Sequence, residues 1–401
     1  MKRRSALLAG SIILLATAPL VMAQTQDLKH MFAQTPIRLS NLPHNPSVAV
    51  GLLPSQFKAA YGFNRIPNQG QGQTIALVDA YDNPNIESDL AFYANYFHLA
   101  PCNFQKVEVG SPQGAPSDWA LEMSLDVEQA CALAPQAKII LVEATTGSMS
   151  DLLTAVQTAS SAPNNATAIS MSWGFNEFDG ENSYDNYFCN VMNGNGQPVT
   201  FFAASGDEGH GFYNWYPAAS PCVISVGGTI LVLESVVPPS SPLQVNYGVE
   251  TAWKHTMAGV SRFETQPSFQ NPACATWSTT NRCIPDVSSD APNIPVYATY
   301  GYDGWQTVAG TSVGTPDWAS FITLVNSSRA NAGKGLISQA VQDLYTIYYS
   351  SSYLTDFHDI TTGRNGNCGS LCDAGPGYDL VTGIGTYQAN NLFSALVADP
   401  N

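Results

Sequence analysis

Short apolar runs alternate along this chain with segments of helical spacing, and that alternation narrows the possible folds more than any other feature. The runs lie at residues 74–79, 138–143, 166–172, 199–203 and 222–226. Between them, residues 86–97, 118–132 and 150–160 carry apolar side chains three and four apart, and a further helix is expected from near Ser312 toward Ala330. Repeated strand–helix–strand order builds a mostly parallel sheet with helices on both faces, a doubly wound α/β fold. Such sheets bind their ligands in the loops at the strand ends. Those loops are rich here in Gly, Asn and Ser.

The chain has 401 residues, enough for one large domain or two ordinary ones, and neither an internal repeat nor a composition shift marks a second. Hydrophobic residues make up 44%, which excludes a disordered chain. Lys+Arg total 15 against 31 for Asp+Glu, which excludes a basic nucleic-acid binder.

Residues 1–23 read as a secretory signal: a Lys2-Arg3-Arg4 head, an apolar stretch over 6–22, and Val21 and Ala23 placed for cleavage before Gln24. The competing reading is a membrane anchor, but Gly10, Ser11, Thr17 and Pro19 interrupt the run. No later stretch approaches the roughly 18 apolar residues of a spanning helix, so no stable membrane insertion is expected after cleavage. The signal carries three basic residues and no acidic one, so its loss leaves the chain still more acidic. Residues 24–50 read as a short, poorly structured leader, 237–242 as a Pro/Ser loop and 51–401 as the folded domain.

All eight cysteines follow the signal, and an even number suits disulfides in an oxidising compartment, secreted or periplasmic. Cys274 with Cys283 and Cys368 with Cys372 are plausible local pairs, although spacing cannot choose among the connectivities. A zinc site is the rival reading, but the paired C-x-x-C and the H-E-x-x-H it would use are missing.

Three segments carry chemistry. Ser312 follows Gly310-Thr311 and opens a helical run with Pro316 in its first turn, where free N–H groups can stabilise an oxyanion. The plainer alternative is a helix-capping serine. A serine nucleophile needs a base. Glu122 and Asp126 stand four apart on one face of an otherwise apolar helix, and adjacent carboxyls that disfavour double ionisation can take and return a proton in acid. The alternative there is a solvated acidic face. Finally, an apolar run enters the turn Ser205-Gly206-Asp207, where a protonated aspartate could donate to an oxyanion; the alternative is a turn residue bonded to its own backbone. None of the six histidines stands in the H-G-T setting that subtilisins use.

Together these segments resemble the sedolisin family of serine-carboxyl peptidases, which share the subtilisin fold. The match runs from residues 53–63 (LPSQFKAAYGF) through 122–128 (EMSLDVE), 170–174 (SMSWG), 204–207 (ASGD), 216–221 (YPAASP), 225–229 (SVGGT) and 285–288 (PDVS) to Gly310-Thr311-Ser312 with Pro316. The resemblance implies an acid-acting endopeptidase, expected to be a monomer, that cleaves proteins or peptides. Ser312 would attack, Glu122 would act as base, Asp126 would orient it, and Asp207 in its acid form would bind the oxyanion. Asp79 ends the first run as either a network partner or a mere strand-end residue. The resemblance also implies one structural Ca2+, with Asp359 and Asp379 giving carboxylates and Ile360, Gly375 and Gly377 giving carbonyls; oxygen donors suit a hard cation.

Departures from the family pattern are specific. The match begins about thirty residues after the expected cleavage site, without the family's usual long N-terminal pro-domain. Residues 258–261 (AGVS) replace a Gly-Gly-Gly-x-Ser loop, Ala309 replaces a serine, and Tyr387 stands where proline is frequent. A tripeptide-releasing exopeptidase is the alternative within the family. A catalytically idle binding protein on the same scaffold is the alternative outside it.

Overall fold

The computed structural model describes residues 28–211, 213–234 and 245–400; the expected signal at 1–23 and the loop at 237–242 lie outside the described residues. The strands that position the site are β1 (Arg38–Leu39), β2 (Thr74–Ala80), β3 (Asn103–Glu108), β4 (Lys138–Ala144), β5 (Ala168–Met171), β6 (Thr200–Ala204), β7 (Val223–Glu234), β8 (Asn246–Ala252), β9 (Val287–Asp290), β10 (Ile294–Ala298) and β11 (Gly304–Ala309). The helices are α1 (Ile86–Tyr96), α2 (Ser117–Leu133), α3 (Met149–Ser160) and α4 (Thr311–Asn331).

The central sheet has the order β3–β4–β2–β5–β6–β7–β8, with β9 also on β7. Every pairing in it is parallel except β7 with β8. The five apolar runs are β2, β4, β5, β6 and the start of β7. Each is buried almost throughout, as strands covered on both faces must be. Periodicity passed over β3 because Asn103–Glu108 alternates exposed and half-buried residues at the sheet's edge.

Helices α2 and α4 pack on each other and on the sheet, and α3 packs on β2 and β4. Every residue of α2 from Trp119 to Leu133 is buried. Its outer side is closed by a small antiparallel sheet, β1–β11–β10, where Leu121 and Leu125 meet Ile294, Val296 and Val308. A helix enclosed on all sides has no solvated face. All eight cysteines pair: Cys102–Cys131, Cys189–Cys222, Cys274–Cys283 and Cys368–Cys372. The first two join distant parts of the chain, which spacing could not assign. Among the described residues no helix is long and apolar enough to cross a membrane.

The leader is placed from residue 28 onward. It has little regular structure beyond β1, yet it is hydrogen-bonded across the front of the domain at several points.

Candidate active site

Strand β11 runs straight into α4, and the junction is Gly310. A Cβ there would stand 2.8 Å from Ser312 Oγ and 3.1 Å from Asp207 Oδ2, so a glycine keeps open the space these two groups share. Ser312 sits in the first turn of α4, among N–H groups that have no intrahelical acceptor.

Asp207 arrives from the C-terminal end of β6 through Gly206, whose φ of +107° favours glycine. Its Oδ1 accepts from both the N–H and the hydroxyl of Thr311, each at 2.9 Å. The Thr311 hydroxyl also receives the Gly206 N–H at 3.1 Å. The residue before the nucleophile thereby fixes the carboxyl and leaves Oδ2 buried without a hydrogen bond, 3.9 Å from Arg38 Nε. Burial pushes the Asp207 pKa well up; the Thr311 hydrogen bonds and the Arg38 charge oppose that rise.

Glu122 and Asp126 stand one turn apart on α2, and neither has measurable exposure. The solvated-face alternative is therefore excluded. Asp126 Oδ1 accepts from Ser172 Oγ at 2.8 Å, just past the end of β5. Both Glu122 oxygens and Ser312 Oγ are buried without a hydrogen bond of full geometry. They are nonetheless close enough to interact, because the Ser312 hydroxyl pulls the Glu122 pKa down. Such bonds are often loose before substrate arrives. Burial first, then the charges of Asp126 and Asp79, push Glu122 well above the ordinary carboxyl range. Asp126 is raised in the same way by burial and by Asp79.

Asp79 belongs to this group. It ends β2 fully buried, in register with Glu143 on β4, and both its oxygens are unpaired. Burial and the Glu143 charge raise it to about 8. The sequence reading assigned nothing to Asp317, although it lies on α4 five residues past Ser312, fully buried, and its charge reaches Asp126. A charged residue inside an otherwise buried helical run was the available signal. Among the described residues no histidine bonds to these groups: His44 bonds Asp303, His358 stacks on Tyr247 and His255 lies against Trp253.

The 258–261 loop is tied down rather than open: Ser261 Oγ donates to Glu177 and accepts the Glu264 N–H. Tyr387 is buried, with its hydroxyl 2.8 Å from Ser289 Oγ. Farther away, Asp359 and Asp379 flank the Gly375–Gly377 turn, taking the N–H of Gly377 and of Gly375 respectively. The backbone carbonyls of Ile360, Gly375 and Gly377 accept no backbone hydrogen bond among the described residues.

The chain is similar to known proteins in sequence and in fold. A profile described as the subtilase family matches residues 124–347. Kumamolisin of Bacillus sp. (strain MN-32) is 32% identical over 362 residues, which cover 82% of this chain and 60% of that protein. Sedolisin of Pseudomonas sp. (strain 101) is 28% identical over 371 residues, covering 86% of this chain and 61% of its own length. Tripeptidyl-peptidases are also among the relatives. Among solved structures, Pseudomonas sedolisin, a serine-carboxyl proteinase complexed with two molecules of pseudo-iodotyrostatin, superimposes with a TM-score of 0.74 at 25% identity, over 88% of this chain and 100% of that one. The profile places the chain in the subtilase family. Within it, the chain belongs to the sedolisin family. It spans about 60% of the length of these two curated relatives.

Proposed function

We propose that the chain is an acid-acting serine-carboxyl endopeptidase. One observation carries the reading: Ser312 Oγ and Asp207 Oδ2 are buried beside one point at Gly310, and the Ser312 hydroxyl acts on the buried Glu122 carboxyl. Ser312 attacks the peptide carbonyl while Glu122 takes its proton and then returns it to the leaving amine. Asp126 orients Glu122 and shares the proton, itself held by Ser172. Asp207, protonated, donates from Oδ2 to the oxyanion beside the Ser312 N–H.

The pH dependence follows. The Glu122–Asp126 pair must have lost one proton while Asp207 keeps its own, so activity rises as the pair ionises and falls as Asp207 ionises. The raised pKa of Asp207 preserves its acid form to higher pH than an exposed aspartate would. Ser312→Ala should abolish peptide hydrolysis without changing the melting temperature. An alkaline optimum would overturn the mechanism.

The second reading is a tripeptide-releasing enzyme, since tripeptidyl-peptidases are among the relatives. Acetylating the substrate's amine distinguishes the two: an endopeptidase keeps cutting.

The residues at 359–379 fit one structural Ca2+. Two carboxylates and three free carbonyls are the oxygen-only donors a hard cation takes, and the ion would brace a loop remote from the chemistry. Four disulfides support export to an oxidising compartment.

A further inference from the structure

Away from the catalytic carboxyls, a short helix, Pro54–Tyr61, begins on a proline suited to a first helical turn and buries Phe57, Ala60 and Tyr61. Lys58 stands at the edge of that buried face, half-buried, and its ammonium donates to Ala132 O at 3.2 Å. Ala132 lies in the last turn of α2, where carbonyls lack an intrahelical donor and carry the negative end of the helix dipole. This bond uses one of the three ammonium hydrogens. Burial holds the Lys58 pKa below the ordinary lysine value, and no neighbouring charge opposes that fall. In a chain with 31 Asp and Glu against 15 Lys and Arg, a dehydrated cation without an acidic partner stands out.

Beside Lys58 lies a cavity of about 350 Å³, walled by Phe63, Ile66, Phe97, Leu99, Leu133 and Leu324. Its volume falls at the lower end of the roughly 300–1,000 Å³ found for small-ligand pockets. Phe63, Ile66, Leu133 and Leu324 are buried, whereas Phe97 and Leu99 are only half-buried. Lys58 is the one charged residue in the lining. Asn68 also borders the cavity, but its amide is already engaged by Leu324 O at 3.0 Å and Ser328 Oγ at 2.8 Å, and its Oδ1 accepts the Gly70 N–H. The cavity therefore joins an apolar wall to a single cation with hydrogens to spare.

We propose that this cavity is a binding site for a medium-chain aliphatic monocarboxylate, its carboxylate paired with Lys58 and its chain lying among the six apolar residues. A small inorganic anion would satisfy the ammonium and leave the wall unfilled. A neutral hydrocarbon would fill the wall and cover a charge left without a partner, which is costly. An aliphatic carboxylate does neither. The site lies roughly 15 Å further along α2 than Glu122 and roughly 18 Å further along α4 than Ser312, so the ligand would brace the far ends of the two helices that carry them without touching the catalytic groups.

The test is calorimetric titration of the purified chain at pH 6 with sodium decanoate, kept below its micelle concentration, beside decanol and acetate. Decanoate should bind saturably at one site and raise the melting temperature, while decanol and acetate bind at least about tenfold more weakly. Affinity should fall as pH drops through the carboxylic-acid range, where the ligand loses its charge and Lys58 keeps its own. Lys58→Met should weaken decanoate at least about tenfold and leave decanol unchanged. Leu99→Trp, which fills the cavity and keeps the cation, should abolish binding of both. Melting temperatures without ligand show that each variant is folded. No saturable decanoate binding by the wild type, decanol binding as tightly as decanoate, or undiminished decanoate affinity in either folded variant overturns the proposal.

Discussion

Replacing Asp207 by asparagine separates its two proposed properties, position and protonation. Thr311 offers an N–H and a hydroxyl to Oδ1, so the asparagine carbonyl must take that side and its amide must occupy the Oδ2 position facing the space beside Ser312. The variant therefore keeps an oxyanion donor that cannot ionise. Removing such a donor costs roughly 2.7–4 kcal/mol, about 10²- to 10³-fold in rate, which is the loss expected for Asp207→Ala. Asp207→Asn should stay within about tenfold of wild type at the optimum, a difference of about 1.4 kcal/mol. Its alkaline limb should move to higher pH, because in the wild type that limb is the ionisation of Asp207. The acid limb should stay in place, because Asp207 is already uncharged over the range in which the Glu122–Asp126 pair ionises. The assay is kcat/KM against pH on a peptide. An asparagine variant as slow as the alanine one, or one that fails at the same pH as wild type, refutes the reasoning.

Stability should also depend on pH, in the sense opposite to acid denaturation. Burial raises Asp79 to about 8, Glu143 to about 7 and Glu264 to about 8, so the folded chain holds protons that the unfolded chain releases. Their contribution is complete below the ordinary carboxyl pKa near about 4 and is lost as pH rises through about 7–8, at up to about 1.4 kcal/mol per pH unit for each group. Melting temperatures that climb across that interval would contradict this. Chelation of Ca2+ should lower the melting temperature, and added Ca2+ should restore it; Asp379→Ala should remove the response. Gly206→Ala should cut kcat at least about tenfold and destabilise by about 1–3 kcal/mol, because its Cβ would meet Met257 Sδ at 2.7 Å on a backbone at φ +107°. Wild-type kinetics in that variant would show that the 205–207 turn tolerates displacement.

How much was legible in the sequence depended on whether a signal was local. The buried strands and the four principal helices were readable because each carries its periodicity in consecutive residues, as α2 does over Ser117–Leu133. Glu122 and Asp126 were readable because four residues on a helix is itself a spatial statement. The burial of that pair was not, since it depends on β10 and β11, which lie more than 150 residues away and close α2 from outside. Asp317 and Glu143 escaped for the same reason: each joins the carboxyl group only through packing or strand register. The leader shows the limit most plainly. Residues 28–40 have no periodicity and look unstructured, yet they are ordered by backbone bonds to Gly147, Gly174 and β11 that leave no trace in side-chain pattern.

The same burial that makes the site reactive ties it to acid. Imidazole can serve as a base near neutral pH while remaining partly solvated, but a carboxyl must be lifted out of its ordinary range before it can hold and release a proton. Here the lift comes from enclosing α2 on all sides and gathering Asp79, Asp126 and Asp207 around Glu122, with like charge adding to lost hydration. Opening the enclosure would lower those pKa values and return each carboxyl to a permanently ionised form. Asp207 would then no longer donate, and Glu122 would be a weaker base. A substitution such as Leu125→Ala, which loosens α2 against β10 without touching a reacting group, should therefore move the alkaline limb of the activity profile downward as well as lowering stability. Leu125 has no exposure, and a buried Leu→Ala change typically costs about 2–5 kcal/mol. Loss of stability with no shift in the profile would show that the carboxyl group is held apart from solvent by something other than this packing.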